Sequence, residues 1–270
     1  MWEDDLETKA RRSAAWIIGI VVAACVAVGG WYWYQAWQHA ASPSTPAPTP
    51  APARPAASAE PQIAHPIPGE GAAAALPALN DSDPLAHDSL AGVIGRGPVE
   101  QFLVPQNIVR HIVVTVDNLP RHRVAVDLRP VKPTPGQAVT ATQGELTTLG
   151  DANFARYAPL VRVVQATDVK ALAVVYERLY PLFQQAYEDL GYPGKYFNDR
   201  LVETIDNLLE TPEVSGPIQL VQPKVFWQYA DQGLEDRSAG QKLLIRMGPA
   251  NARVIKAKLR EFRADIVQKK

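Results

Sequence analysis

The sequence predicts a mainly α-helical fold: a compact multi-helix domain with a minor β element, preceded by a single N-terminal transmembrane helix and a proline-rich linker. Three observations predict it. Residues 14–34 carry no charge, residues 40–75 are dominated by Ala and Pro, and the chain beyond Leu76 repeats apolar side chains at helical spacing. Together they divide the 270 residues into a tail (1–13), a span (14–34), a disordered linker (35–75) and a folded domain (76–270). The last block is long enough to bury most of the surface its unfolded chain would expose.

The 21 residues from Ala14 to Tyr34, at about 1.5 Å per residue, make a helix of roughly 31 Å, which matches the hydrocarbon core of a bilayer. Trp31, Tyr32, Trp33 and Tyr34 close the run, with Trp37 beyond and Trp16 near the other end. Amphipathic rings prefer the headgroup level, so these read as an interfacial belt. Lys9, Arg11 and Arg12 precede the span, whereas 35–53 hold no Lys or Arg. The positive-inside rule therefore places the tail in the cytoplasm and everything after Tyr34 outside it. A cleaved signal peptide would have a shorter apolar run ending in a small-residue site. Ala15, Gly19, Ala23 and Ala27 fall on one face of the span, where small side chains let two helices approach closely as a homodimer.

In the linker, proline removes amide donors and fixes φ, which excludes both helix and sheet ladder. Ala-Pro and Thr-Pro repeats favour polyproline II, a semi-rigid spacer whose 36 residues from 40 to 75 reach roughly 110 Å when fully extended.

The domain reads as a series of helices. Asp81-Ser82-Asp83-Pro84 looks like a cap and first turn opening a helix toward Val93, ended by Gly95. A short helix follows from Pro98 or Val99 to about Leu103, then one from Asn107 with Ile108, Ile112, Val116 and Leu119 on one face. Val124, Val126 and Leu128 alternate with Ala125 and Asp127 like a short strand, before Pro130, Pro133 and Pro135 impose a loop. Asn153–Ala166 reads as one helix. A long helix capped by Asp168 runs to Leu190 and Gly191, with Pro181 expected to kink it. Tyr196–Leu209 is another helix, and 218–229 suits a hairpin or edge strand around Pro223. Helices over Ser238–Met247 and from Pro249 to about Val267 end the chain.

The whole chain sums to −1, which offers no bulk attraction to nucleic acid. Cys25, in the span, is the only cysteine, so thiol chemistry and disulfides are excluded from the domain.

Candidate sites follow from residue type. Gly191–Arg200 and Phe226–Tyr229 mix aromatic and polar side chains as a peptide or sugar groove does. Tyr192, Lys195, Tyr196, Asn198, Arg200, Trp227 and Tyr229 are its expected lining. Arg253, Lys256, Arg260 and Arg263 form a basic stripe on the last helix, suited to anionic lipid, cell-wall polymer or an acidic partner, or to pairing with the domain's own acids. Asp81, Asp83, His87 and Asp88 do not have calcium-loop spacing and read as helix-start acids, so no metal and no cofactor is expected. His111 and His122 have no nucleophile elbow beside them.

The segments LPALNDSDP (76–84), NIVRHIVVTVDNLPR (107–121), GYPGKYFNDRLVETIDNLLETPEV (191–214) and QLVQPKVFWQYADQGLEDRSAGQKLLIRMGP (219–249) resemble a bacterial family of domains of unknown function, number 3014. The resemblance implies a preceding anchor and a bacterial source, which makes the outer compartment a periplasm and the bilayer the inner membrane. It carries no activity. The sequence thus points to an interaction or structural component of the envelope, with a cell-wall or envelope protein partner. An envelope hydrolase or glycan-modifying enzyme is the alternative. Replacing Gly19 and Ala23 by Leu should abolish self-association of the span in a membrane two-helix reporter; unchanged association removes that face from consideration.

Overall fold

The protein is described here from a computed structural model covering residues 63–67 and 76–267. The expected span, its small-residue face and most of the linker lie outside those residues. Among the described residues no helix is long and apolar enough to cross a membrane.

The described chain is mainly helical, with one small antiparallel sheet. Helices α1 (Asp83–Ile94), α2 (Arg96–Phe102) and α3 (Ile108–Asn118) come first. A hairpin of β1 (Thr140–Gln143) and β2 (Leu146–Leu149) follows, then α4 (Asp151–Phe154), α5 (Ala158–Ala166), α6 (Val169–Asp189) and α7 (Phe197–Leu209). Strands β3 (Ile218–Val221) and β4 (Gln228–Tyr229) precede α8 (Gln232–Glu235), α9 (Ala239–Met247) and α10 (Pro249–Ile266).

The central helix is α6. Its i, i+3, i+4 apolar spacing buries Ala173, Tyr176, Leu179, Tyr180, Phe183 and Tyr187, against which α3, α7 and α10 pack. Asp168 accepts a hydrogen bond from the Ala171 amide at its start, and Gly191, at φ 109°, turns the chain away at its end. The helix continues past Pro181. On α3, Ile108, Val109 and Val113 are fully buried. The start of α3 is capped from a distance: the Asp83 carboxylate accepts from the amides of Asn107 (2.7 Å) and Ile108 (2.8 Å). Asp83 was expected to serve its own helix. It serves α3 instead, because free amides at a helix start draw the nearest carboxylate.

Two expectations are corrected. Residues 126–128 form a 3-10 turn rather than part of a strand, with Val126 57% and Leu128 43% exposed. Alternation alone makes no strand without a partner, and Pro130, Pro133 and Pro135 beyond it supply no amides for a ladder. The ladder forms downstream instead, where Thr140, Thr142, Thr147 and Thr148 flank Gly144, which turns at φ 59°. The expected hairpin around Pro223 is present as β3–β4. It extends the first hairpin into a β1-β2-β3-β4 meander, with Thr148 opposite Gln219 and Leu220 opposite Tyr229. The helix expected over 153–166 is broken into α4, a 3-10 turn over 155–157 and α5, with Pro159 in the first turn of α5.

Two glycines are fixed by close approach. The amides of Ala239 and Gly240 donate to Arg121 O (2.6 Å) and Leu119 O (2.9 Å), docking the start of α9 on the end of α3. A Cβ at Gly240 would meet Leu208 and the Leu119 carbonyl. Gly248 combines φ +89° with the face of the Phe154 ring. Gly240→Ala and Gly248→Ala should each cost about 1–3 kcal/mol, read as a lower urea midpoint at constant m. Gly97→Ala, where an added Cβ meets nothing, should leave the midpoint unchanged or raise it.

Candidate binding groove

The groove is built where α7 begins. Tyr196, the residue before α7, makes no capping bond with its side chain, and α6 supplies the caps instead. The Phe197 amide donates to Gln184 Oε1 (2.8 Å) and the Asn198 amide to the Tyr180 hydroxyl (3.3 Å). Asn198 is fully buried. Its Oδ1 accepts from the Tyr176 hydroxyl (3.0 Å), and its Nδ2 donates to Ile266 O at the end of α10 (3.2 Å). Burial, then the neighbouring Tyr196, pushes the Tyr176 and Tyr180 hydroxyls well above the usual phenol range, so both stay protonated.

Beside this hub lies a charge network centred on Asp117, which is 4% exposed. Its Oδ1 accepts from Arg200 Nε (3.1 Å), and its Oδ2 from Arg121 Nη2 (2.8 Å) and the Tyr192 hydroxyl (3.3 Å). Arg200 also pairs with Glu203 at 2.8 Å. The bond and charge of Asp117 raise the Arg121 guanidinium above its usual range. Burial opposes the charge on Arg200, but Glu203 and Asp117 outweigh it and raise that guanidinium as well. Tyr192 stacks on Tyr187 with centroids 4.7 Å apart, and the Lys195 ammonium sits 5.6 Å from the Tyr192 ring centroid. These residues line a cleft of about 390 Å³ that reaches Asp199 and Ile63.

Of the expected lining, Tyr192, Lys195, Tyr196 and Arg200 come together here, with Asn198 beneath them. Trp227 and Tyr229 do not. Tyr229 is buried against Leu149, Ile218 and Ile245, and its hydroxyl donates to Lys242 O at 2.9 Å. Burial pushes that hydroxyl up to about 12. Trp227 packs on the same cluster, because the meander folds β4 over the sheet's own core.

The basic stripe is also partly used up. Lys256 is buried with Nζ on Thr211 O (2.7 Å), and Arg263 grips both oxygens of Asp206 at 2.6 and 2.9 Å. Both side chains reach acceptors in the last turn of α7 and beyond it, leaving Arg253 and Arg260 exposed. His111 lies on α3 and His122 in the exposed turn after it.

The groove already holds peptide. Residues 63–67, placed by composition in the linker, lie against the start of α7. Asp199 accepts from the amides of Ala64 (3.0 Å) and His65 (2.7 Å), Asn198 Nδ2 donates to His65 O (2.9 Å), and the Ile67 amide donates to the Tyr196 hydroxyl (2.9 Å). Ile67, 5% exposed, joins the main core. Burying Ile67 contributes about 2 kcal/mol and the four hydrogen bonds about 5 kcal/mol in all, against about 7 kcal/mol for ordering five residues.

Asp117 and the segment itself were missed, and Asp199 lay in the expected 191–200 stretch without being named as lining. Asp117 had a signal: it continues the Val109, Val113 stripe at four-residue spacing, and a carboxylate on an apolar stripe demands partners. The segment had only Ile63 and Ile67 among its prolines. A second concavity, about 380 Å³ and almost wholly apolar, lies between α1, α2, α5, α6 and α10, lined by Leu90, Ile94, Phe102, Leu172, Leu259 and Phe262 among others.

Asp117→Ala removes the buried carboxylate but leaves both guanidiniums on the carbonyl of residue 117 and Arg200 on Glu203, and should cost about 2–3 kcal/mol in urea denaturation. Arg121→Ala, at an exposed partner, should cost less than about 1 kcal/mol.

Residues 108–263 match the model of the family described as "Protein of unknown function (DUF3014)", beginning at the first residue of α3. No curated protein and no solved structure matches the chain. The family match spans more than half of the sequence and contains α3, α6 and α7, which build the groove; the chain belongs to the DUF3014 family.

Proposed function

We propose that the protein is an interaction component of the bacterial cell envelope, anchored in the inner membrane by residues 14–34, with the tail 1–13 in the cytoplasm and the helical domain in the periplasm. One observation carries the interaction role: the groove at the start of α7 grips a bent piece of chain through its backbone. The uncharged run, its aromatic end and the preceding Lys9, Arg11 and Arg12 support the anchor and its direction.

The rival reading, a hydrolase or glycan-modifying enzyme, needs carboxylates placed to exchange protons with a substrate. The carboxylates at this groove are already committed: Asp117 to two arginines, Glu203 to Arg200 and Asp199 to backbone amides. Binding is the better use of such a surface.

The anchor is tested by carbonate extraction and by protease added to the periplasmic side. The protein should remain in the membrane pellet while its domain is digested. A mature form beginning near Ser42 and released by buffer overturns it. The role is tested with a photocrosslinker at Lys195 in intact cells. Discrete crosslinked protein species are expected, while capture no greater than from a probe at exposed Gly97 overturns an interaction role for the groove.

A further inference from the structure

We propose that the apolar cavity between α1, α2, α5, α6 and α10 binds one hydrocarbon chain with an anionic headgroup, an amphiphile of the fatty-acid class. The site is separate from the groove at α7 and does not depend on what that groove recognises.

The walls set the chemistry of the tail. Leu90, Ile94, Phe102, Leu172, Leu259 and Phe262 face a space of about 380 Å³. Leu90, Leu172 and Phe262 also wall a deeper lobe of about 150 Å³ that runs on to Phe183 and Phe197 in the main core. Lys258 is the only charged residue on the walls of either lobe. Water gains little there, because a buried water needs several polar partners. The chain itself has little to offer the space. Residues 38–62, 68–75 and 268–270 contain no Val, Leu, Ile, Met, Phe, Tyr or Trp. A partner's helix does not suit it either. At about 10 Å across, a helix is too thick to follow from the outer space into the deeper lobe, whereas a single hydrocarbon chain fits both.

Cations at the mouth set the chemistry of the head. The opening toward α2 and α5 shares Ile94, Phe102, Val163 and Thr167 with the cavity and adds Gln101 and the exposed Arg162. The Lys258 ammonium donates to Thr167 O at 3.0 Å, on that same edge. Its carboxylate partner, Glu261, lies 3.4 Å away with a side chain 56% exposed. An exposed pair of that kind contributes little, so a headgroup arriving with its tail in the cavity can take the ammonium. Asp168, just past Thr167, is committed to the Ala171 amide. The rim thus offers two cations to one anionic headgroup, and charge-assisted hydrogen bonds to them fix which end of the ligand stays outside.

The test uses full-length protein in phosphatidylcholine nanodiscs and palmitic acid carrying a diazirine at its tail, with the photolabelled peptides mapped by mass spectrometry. Label is expected on the cavity-facing peptides of α6 and α10 and should be displaced by unlabelled palmitic acid. The matching long-chain alcohol, which has no anionic head, should label about 5-fold less, and so should palmitic acid on Lys258→Ala. Val163→Trp, which fills the mouth, should cut the label about 10-fold, and Leu160→Trp is a second filling variant from the same helix. Circular dichroism and urea midpoints identify the variants that remain folded. Label confined to residues 14–34, label that a folded filling variant leaves unchanged, equal label from the alcohol, or no label at all overturns the proposal. None of these outcomes bears on the Lys195 crosslinks, so the interaction role of the groove stands or falls separately.

Discussion

A buried amide side chain must find a partner for each of its polar atoms, since each one left unpaired forfeits the hydrogen bonds it had in water. Asn198 meets that requirement by joining segments far apart in sequence: Tyr176 on α6, the carbonyl of Ile266 at the end of α10 and the carbonyl of His65. Its own amide rests on Tyr180. This one residue fixes where α7 begins, where α10 ends and where the incoming chain lies. The two tyrosines serve because burial keeps them neutral, so one donates to the asparagine side chain while the other accepts from its backbone.

The charge network beside it does a different task. Asp117 holds the end of α3 against α7 through Arg200, and its second oxygen draws Arg121 and Tyr192 to the surface. A buried carboxylate between two guanidiniums contributes little net stability but tolerates the loss of its acid poorly. The result is a wall with fixed charges whose lining side chains have already lost much of their freedom, which lowers the entropic cost of receiving a ligand.

Much of the fold was legible because periodicity and punctuation agreed. Asp168, Gly191, Ser238 and Pro249 bound helices to within a residue or two, and the long apolar stripe of α6 left no competing reading. The failures have local causes. Val124 to Leu128 had strand alternation but no neighbour, whereas the Thr-rich hairpin at 140–149 had a neighbour but little apolar content. Grouping Trp227 and Tyr229 with Tyr192 relied on shared composition, and composition does not say which core an aromatic ring enters. Arg263 meets one of the domain's own acids, Asp206, as the stripe allowed, whereas the burial of Lys256 on Thr211 O, past the end of α7, is not revealed by helical spacing alone. The docked segment was hidden by its prolines, which mark extended chain whether or not anything holds it.

The docked segment also bears on where this protein can be cut. Composition changes at Leu76, and the family match starts at Ile108, so either looks like a natural beginning for a recombinant fragment. A fragment from Leu76 would leave one amide hydrogen of Asn198 facing an empty aliphatic hollow. One from Ile108 would further lose Asp83 from the start of α3 and the side chains of Leu79, Ala86 and Val99 from the interior. Keeping residues 63–67 in a fragment therefore preserves the partner of Asn198 and the fill of Ile67, a dozen residues upstream of where the amino-acid usage turns globular.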